Sequence, residues 1–386
     1  MQAMAVITCS QRTANSIHAP IAARSYISLA PFRFVPAKLY LPARACPSRN
    51  DRSASQGLLV QKTRAAPLAQ DNIPLSACVS EMNKQERSMF TRTSPSTGPN
   101  SPRVTGFYDP DTGSIQYVAV DEATKKAALI DVVLDFDPAH GRTRTDSAQV
   151  VLDYVRDEGL TVEWVLDTHP HADHMMASAW LKEQTGAPNA IGEKARDIAE
   201  LWTAFYNVPG AFDVDRDFDQ LFADGDSFKL GNLDVQVMLS PGHTLGSITY
   251  VMGDAAFVHD TFMHVDAGTT RADFPGGSSA DLYASLMAIL ALPDDTRLFV
   301  GHDYPPVGER TEPAWEATVA EHRANNKHLG GGVSEADFRE LRDARDATLK
   351  LPDRMLYALQ VNLRGGRLAP AEDDGHHYFK IPANKF

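Results

Sequence analysis

The sequence predicts an α/β protein built from two packed β-sheets with helices on their outer faces. Three observations carry that expectation. Apolar runs occur in pairs joined by short polar or glycine turns, the pattern of antiparallel hairpins. Strand-like runs alternate with helix-like runs in each half of the chain. The residues able to do chemistry fall on turns that close predicted strands rather than inside the elements.

The first 88 residues hold 11 Lys and Arg against 4 Asp and Glu, which is +7 and leaves −20 of the total −13 for the remainder. That basic, acid-poor, aperiodic composition fits either an organellar transit peptide or an upstream extension with the start at Met82 or Met89. The extension is preferred, because no amphipathic helix emerges. Residues 1–104 are therefore expected to be a disordered leader, with 92–103 flexible. The compartment reads as cytoplasmic, or mitochondrial if 1–88 is a transit peptide.

A domain is expected over residues 105–310, with structure starting near Phe107. Residues 114–120 and 126–133 read as a hairpin, and 146–155 as a helix capped by Thr145 or Asp146 and ended by Gly159. Leu160, Val162, Trp164 and Leu166 alternate with polar residues as in a half-buried strand, and 175–181 reads as a helix ended by Gly186. A helix over 193–205 precedes an acidic stretch, 211–226, expected to be a solvated loop. Hairpins over 227–239 and 247–258 turn at Gly231-Asn232 and Gly253-Asp254. Ser278 or Ser279 caps a helix, and 297–300 is a short strand. Residues 311–386 are expected to be a C-terminal helical extension and tail packed on the domain. There, 315–325 and 334–349 read as helices and 356–386 as irregular.

The acidic body excludes a phosphate-backbone binder, so no nucleic-acid partner is expected. No apolar run approaches the roughly 18–20 residues of a membrane span. Cys9, Cys46 and Cys78 all lie in the leader, so the domain has no disulfide, thiolate ligand or cysteine nucleophile.

The chemistry concentrates at Thr168-His169-Pro170-His171-Ala172-Asp173-His174, directly after a predicted strand. Imidazole and carboxylate together suit Zn, Fe or Mn. Three further strand ends carry Gly242-His243-Thr244, His259-Asp260-Thr261 and Gly301-His302-Asp303-Tyr304. Of the other histidines, His264 is a candidate to line the pocket. His140, His322, His328, His376 and His377 read as surface or helix residues.

These motifs, in this order over about residues 105–305, resemble the metallo-β-lactamase superfamily. The resemblance implies an αβ/βα sandwich, two packed mixed β-sheets flanked by helices, with a metal site along one sheet edge. Within it, residues 168–174, Gly268-Thr269-Thr270-Arg271-Ala272-Asp273-Phe274 and His302-Asp303-Tyr304 resemble the persulfide dioxygenase branch. The tail, with Leu359-Gln360-Val361-Asn362 and Lys380-Ile381-Pro382, resembles a bacterial β-lactamase-like hydrolase subgroup. The sequence departs from the pattern at Pro170, at Leu245-Gly246-Ser247 and at His259, where a glycine is usual.

The resemblance implies one Fe(II) per chain held by His169, His243 and Asp260. His171, Asp173, His174 and His302 would then be outer residues or ligands of a second metal. Arg271 and Tyr304 are candidates for gripping a glutathione-like substrate, Tyr304 also from beside the iron. Against this, Arg271 could simply pair with Asp273. The function implied is oxidation of glutathione persulfide by O2 to sulfite and glutathione, in sulfide detoxification. A binuclear zinc hydrolase of glyoxalase II or lactonase type, holding two Zn, is the alternative. A non-catalytic metal-binding or sensing module is the third reading. Expected partners are the small-molecule persulfide and O2, with a homodimer left open as the assembly.

Overall fold

A computed structural model describes residues 89–305, 308 and 310–386. The expected leader over 1–88 lies outside the described residues.

Two large sheets face each other. The first comprises β1 (Phe90–Ser94), β2 (Arg103–Tyr108), β3 (Ile115–Asp121), β4 (Lys126–Ile130), β7 (Thr161–Leu166), β9 (Asn189–Gly192) and β10 (Gln220–Phe222), in that spatial order. Its first four strands are antiparallel, and β4, β7, β9 and β10 are parallel. The second comprises β11 (Ser227–Leu230), β12 (Leu233–Leu239), β13 (Ile248–Met252), β14 (Ala255–His259), β15 (Arg297–Val300) and β16 (Glu316–Thr318), with only β14 and β15 parallel. A small sheet joins β5 (Val133–Asp137) to β6 (Arg142–Arg144) and to β8 (Met175–Met176). Both large sheets are mixed, as expected.

Alternation decides which residues lie between the sheets. Tyr117, Ala119, Ala128 and Ile130 of the first meet Val235, Val237, Tyr250, Phe257 and Phe299 of the second in one buried cluster. The outer face of the first sheet packs on α1 (Asp146–Asp157) and α2 (Ser178–Thr185). α3 (Ala195–Tyr206) and α4 (Val214–Asp217) cover Ile191 and Met176, while α5 (Ser279–Leu290) covers the second sheet. The extension adds α6 (Val319–Asn325), α7 (Glu335–Asp346) and α8 (Met355–Asn362).

Four expectations are corrected. Residues 90–104 are not a flexible leader: β1 pairs along its whole length with β2, Phe90 meets Trp315 edge-on, and Ser94 donates to Glu316 at 2.7 Å. The 211–226 stretch is not a bare loop, since Val214 and Phe218 are buried against α3 and β10 adds a parallel strand. Residues 316–318 form strand β16, because β15 offers a free edge that local helix propensity does not register. The tail begins with α8, whose Ala358 and Val361 pack under the first sheet while Met355 and Leu359 pack with α3. These contacts are non-local, which is why the local pattern missed them.

Candidate metal centre

Each loop that carries a donor is held by its own device. β7 delivers His169, His171, Asp173 and His174 at its C-terminal end. Asp131, in a left-handed conformation (φ 51°) just after β4, accepts the Thr168 N–H at 2.8 Å and its hydroxyl at 2.8 Å. The same carboxylate lies 3.0 Å from His171 Nε2. Burial opposes ionisation of Asp131, yet His171 and the Thr168 bonds hold its pKa below the usual carboxylate value, and Asp131 in turn raises that of His171 against burial. Asp131 was missed by sequence reasoning. Its only signal was a lone acid inside an apolar run.

His243 follows Gly242, whose φ of 129° and contact with α5 exclude any other residue: an added Cβ would stand 2.2 Å from Leu282 N. Asp260 follows a register irregularity in β14 that ends on His259 at φ 40°. Such a bulge turns the next side chain out of the ladder, here toward the donors. The glycine usual at this position thus has a backbone reason, and His259 adopts the strained conformation. Its ring is buried 5.3 Å from that of His169, with Nε2 on the Thr261 hydroxyl at 2.9 Å. His302 follows Gly301, where an added Cβ would stand 2.7 Å from Asp260 Oδ1.

The seven donors named from the sequence therefore converge, and they are buried apart from the partly buried Asp173. Their spacing divides them. His169 Nε2 and His243 Nε2 lie 3.8 and 3.6 Å from Asp260 Oδ2. Metal–ligand bonds of about 2.0–2.2 Å leave ligand atoms roughly 3–4 Å apart, so an ion fits between them. His169 Nε2 is also buried without a hydrogen-bond partner, as expected of a lone pair aimed at a cation. Burial, then the neighbouring imidazoles, depress His169, and burial depresses His243, so both are neutral and able to ligate. His243 Nδ1 donates to the Arg271 carbonyl at 2.9 Å, which leaves Nε2 as the ligating atom.

His302 is arranged differently. Its Nδ1 lies 2.6 Å from Asp260 Oδ1 and its Nε2 2.5 Å from Asp173 Oδ2. Burial opposes a charge there, but the two carboxylates raise its pKa well above the usual imidazole value, while His302 holds both carboxylates low. His174 Nδ1 donates to the Met175 carbonyl at 3.1 Å, and burial lowers its pKa to about 4.

A cavity of about 410 Å³ opens from His243, Asp260 and His302. Met263, Ala267, Phe274, Leu349 and Pro352 give it an apolar wall. Arg271 and Tyr304 line it. The Arg271 guanidinium, however, donates to both Asp273 oxygens, at 2.6 and 2.8 Å, and to the Lys350 carbonyl at 2.6 Å. The pairing with Asp273 considered from the sequence is thus present. Tyr304 is 56% exposed and stacks at 15° on His302. Two cations that sequence reasoning did not single out, Lys327 and Arg345, also line the cavity and make no ion pair among the described residues.

His264 lines a separate cavity beside Trp315. His322 is a helix residue, in α6, and is buried; His328 is neither on the surface nor in a helix but buried, and its Nδ1 accepts the Thr269 N–H at 2.9 Å. The extension also supplies Asn362. Its amide donates to the His171 and His174 carbonyls at 2.8 and 2.9 Å and accepts the Met176 N–H at 2.8 Å, pinning the donor loop. The motif around Asn362 stood in the sequence, but nothing local revealed its target.

The sequence profile of the Metallo-beta-lactamase superfamily matches residues 111–302. The chain belongs to this superfamily. It is 55% identical over 284 residues to a Beta-lactamase hydrolase-like protein of Xylella fastidiosa, covering 74% of this chain and 65% of that one. The chain thus spans less than two thirds of that relative's length. Glyoxylase B2 of Dictyostelium discoideum is 40% identical, over 74% of this chain and 98% of that one. The mitochondrial Persulfide dioxygenase ETHE1 of Homo sapiens is 27% identical over 68% and 89%. Among solved structures, ETHE1 from Myxococcus xanthus superposes with a TM-score of 0.54 at 29% identity, over 72% of this chain and all of that one. The metallo-β-lactamase fold expected from the sequence is therefore the fold observed. Among the described residues no helix is long and apolar enough to cross a membrane.

Proposed function

We propose that the protein is a mononuclear non-haem iron dioxygenase that converts glutathione persulfide, O2 and water to glutathione and sulfite. The observation that supports it is the unequal spacing of the donors. Two imidazoles and one carboxylate stand far enough apart for an ion, whereas the His302 nitrogens stand 2.5 and 2.6 Å from their carboxylates, at hydrogen-bonding distance. A ferrous ion in a two-histidine, one-carboxylate set supplies open positions on one face for a substrate sulfur and for dioxygen.

The chain's own residues do the rest. His302, hydrogen-bonded to both carboxylates, holds Asp260 and Asp173 in place. Phe274, Met263 and Leu349 exclude water from the inner cavity. Lys327 and Arg345 suit the carboxylates of a glutathione-like tail, a role that Arg271, already bonded to Asp273, is less free to take. The name of the human relative and the resemblance of the motifs to the dioxygenase branch point the same way.

Two observations favour a second reading, a binuclear zinc hydrolase. All seven donors of such a site are present, and 40% identity to a protein called Glyoxylase B2 exceeds the identity to the human dioxygenase. The test is metal analysis of protein purified without oxygen, together with oxygen uptake on glutathione persulfide. One iron per chain with persulfide-dependent uptake is expected. Two metals per chain with thioester hydrolysis and no uptake would establish the hydrolase instead.

A further inference from the structure

The loop 268–272 has almost no regular structure of its own, only an isolated bridge from Thr269 to Phe262. Yet it touches two of the three proposed ligands. The Arg271 carbonyl takes the Nδ1 proton of His243 at 2.9 Å, and the Thr270 hydroxyl donates to the backbone carbonyl of Asp260. A shift of this loop would release the tautomer of one ligand and the backbone of another.

His328 accepts the Thr269 N–H and Asn326 donates to the Gly268 carbonyl, and the rest of what holds the loop comes from α7. That helix exposes every residue except Phe338, Arg342 and Asp346, which repeat every four positions along its inner face. Periodicity calls for apolar residues there, and Phe338 complies. The next two are charged, although only 2% and 4% exposed. Arg342 Nη2 pairs with Asp346 Oδ1 at 2.7 Å. Each then reaches the loop backbone: Asp346 Oδ2 accepts the Ala272 N–H at 2.8 Å, and Arg342 Nη1 donates to the Thr269 carbonyl at 2.9 Å.

A buried ion pair is weak evidence for stability, since desolvation offsets most of its attraction and apolar residues of similar volume often do as well. The charges on this stripe therefore need a reason other than cohesion. The loop supplies one: its backbone donor and acceptor would otherwise be buried beside an apolar helix face without partners. We propose that Arg342 and Asp346 are positioning residues of the metal centre. They fix the loop that sets the His243 tautomer and anchors Asp260, and through it they set metal affinity and ligand geometry. The inference rests on the metal-centre reading but not on which reaction follows.

The test replaces the pair together, Arg342→Met with Asp346→Leu, which removes both charges and both bonds to the loop while keeping an apolar contact. Cobalt(II) alone is the probe, titrated into metal-free protein in competition with a chelator, with its visible absorption recorded. A loss of about 10–100-fold in affinity, the size expected for outer partners of metal ligands, with a changed cobalt spectrum, is the expected result. Arg342→Lys keeps the ion pair but gives up the fork that serves Asp346 and Thr269 together. It should lose affinity several-fold and alter the spectrum at an unchanged melting temperature. Parent-like affinity and spectrum in either folded variant would overturn the proposal. Because cobalt binding is read directly, a parent that binds cobalt but takes up no oxygen on persulfide would remove the dioxygenase reading and leave this one standing.

Discussion

Asp260 faces two different environments at its two oxygens. Oδ2 looks onto His169 and His243 across 3.8 and 3.6 Å, while Oδ1 is hydrogen-bonded to His302 at 2.6 Å. The same side-chain types thus build an ion-sized gap on one side and a closed bridge on the other. The difference lies in protonation and spacing. On the open side burial keeps the imidazoles neutral, and on the closed side two carboxylates force a charge onto one ring. A ligand list alone would treat the seven donors as equivalent.

Breaking the open side should have the largest effect. His243→Ala or Asp260→Ala is expected to reduce bound metal to background, measured by elemental analysis after purification in excess iron. The closed side should respond less. With His302→Ala we expect one iron still bound and persulfide-dependent oxygen uptake lowered roughly 10–100-fold. A fall from two metals to one in that variant would show that the bridge opens to hold a second ion.

Substitutions remote from both sides of Asp260 sharpen the contrast. Lys327→Met with Arg345→Met removes the two cavity cations that make no ion pair among the described residues. If they hold substrate carboxylates, KM for glutathione persulfide should rise about tenfold with kcat nearly unchanged, the signature of lost uniform binding. Equal falls in kcat and kcat/KM would place them in the chemistry instead. Asn362→Leu should leave ligand identity alone but strand two carbonyls and one N–H. Each unpaired group costs about 1–3 kcal/mol, to be read from urea unfolding.

The smallest effect concerns acid. Burial lowers both His322 and His328 to about 4, below the unfolded value near 6.5. The unfolded chain therefore takes up these protons first. Their contribution to stability is complete above pH 6.5 and declines as pH falls toward 4, over a window set by these two shifts. In the folded protein His328 is protonated only near pH 4, and there it can no longer accept from Thr269, so the loop under His243 should loosen at the acid end of this range. Thermal melts of the metal-free protein between pH 7 and 4 should show the decline, and His328→Gln should flatten part of it.

Hairpins, helices and donors were legible because each depends on neighbours in sequence. Gly231-Asn232 makes a turn wherever it stands, and alternation over 160–166 marks a strand without knowledge of its partners. Placing His169, His243, Asp260 and His302 on strand ends followed from such local signals, and the structure brings all of them together. The departures arose where the stabilising partner is distant. β1 depends on β2 and Trp315, β16 on the edge of β15, and α8 on two apolar clusters.

By itself the sequence determined the fold class, the donor set and the loops that present it, since periodicity, turn chemistry and residue type are properties of short segments. Only the tertiary structure decided which donors leave space for an ion and which close on one another. It also decided that Asp131, Asn362, Arg342 and Asp346 hold the donor loops, and that Arg271 is tied to Asp273. Most of those outcomes are set by contacts of 2.5 to 3.8 Å between residues 37 to 191 positions apart in the chain, and by the desolvation that their burial imposes.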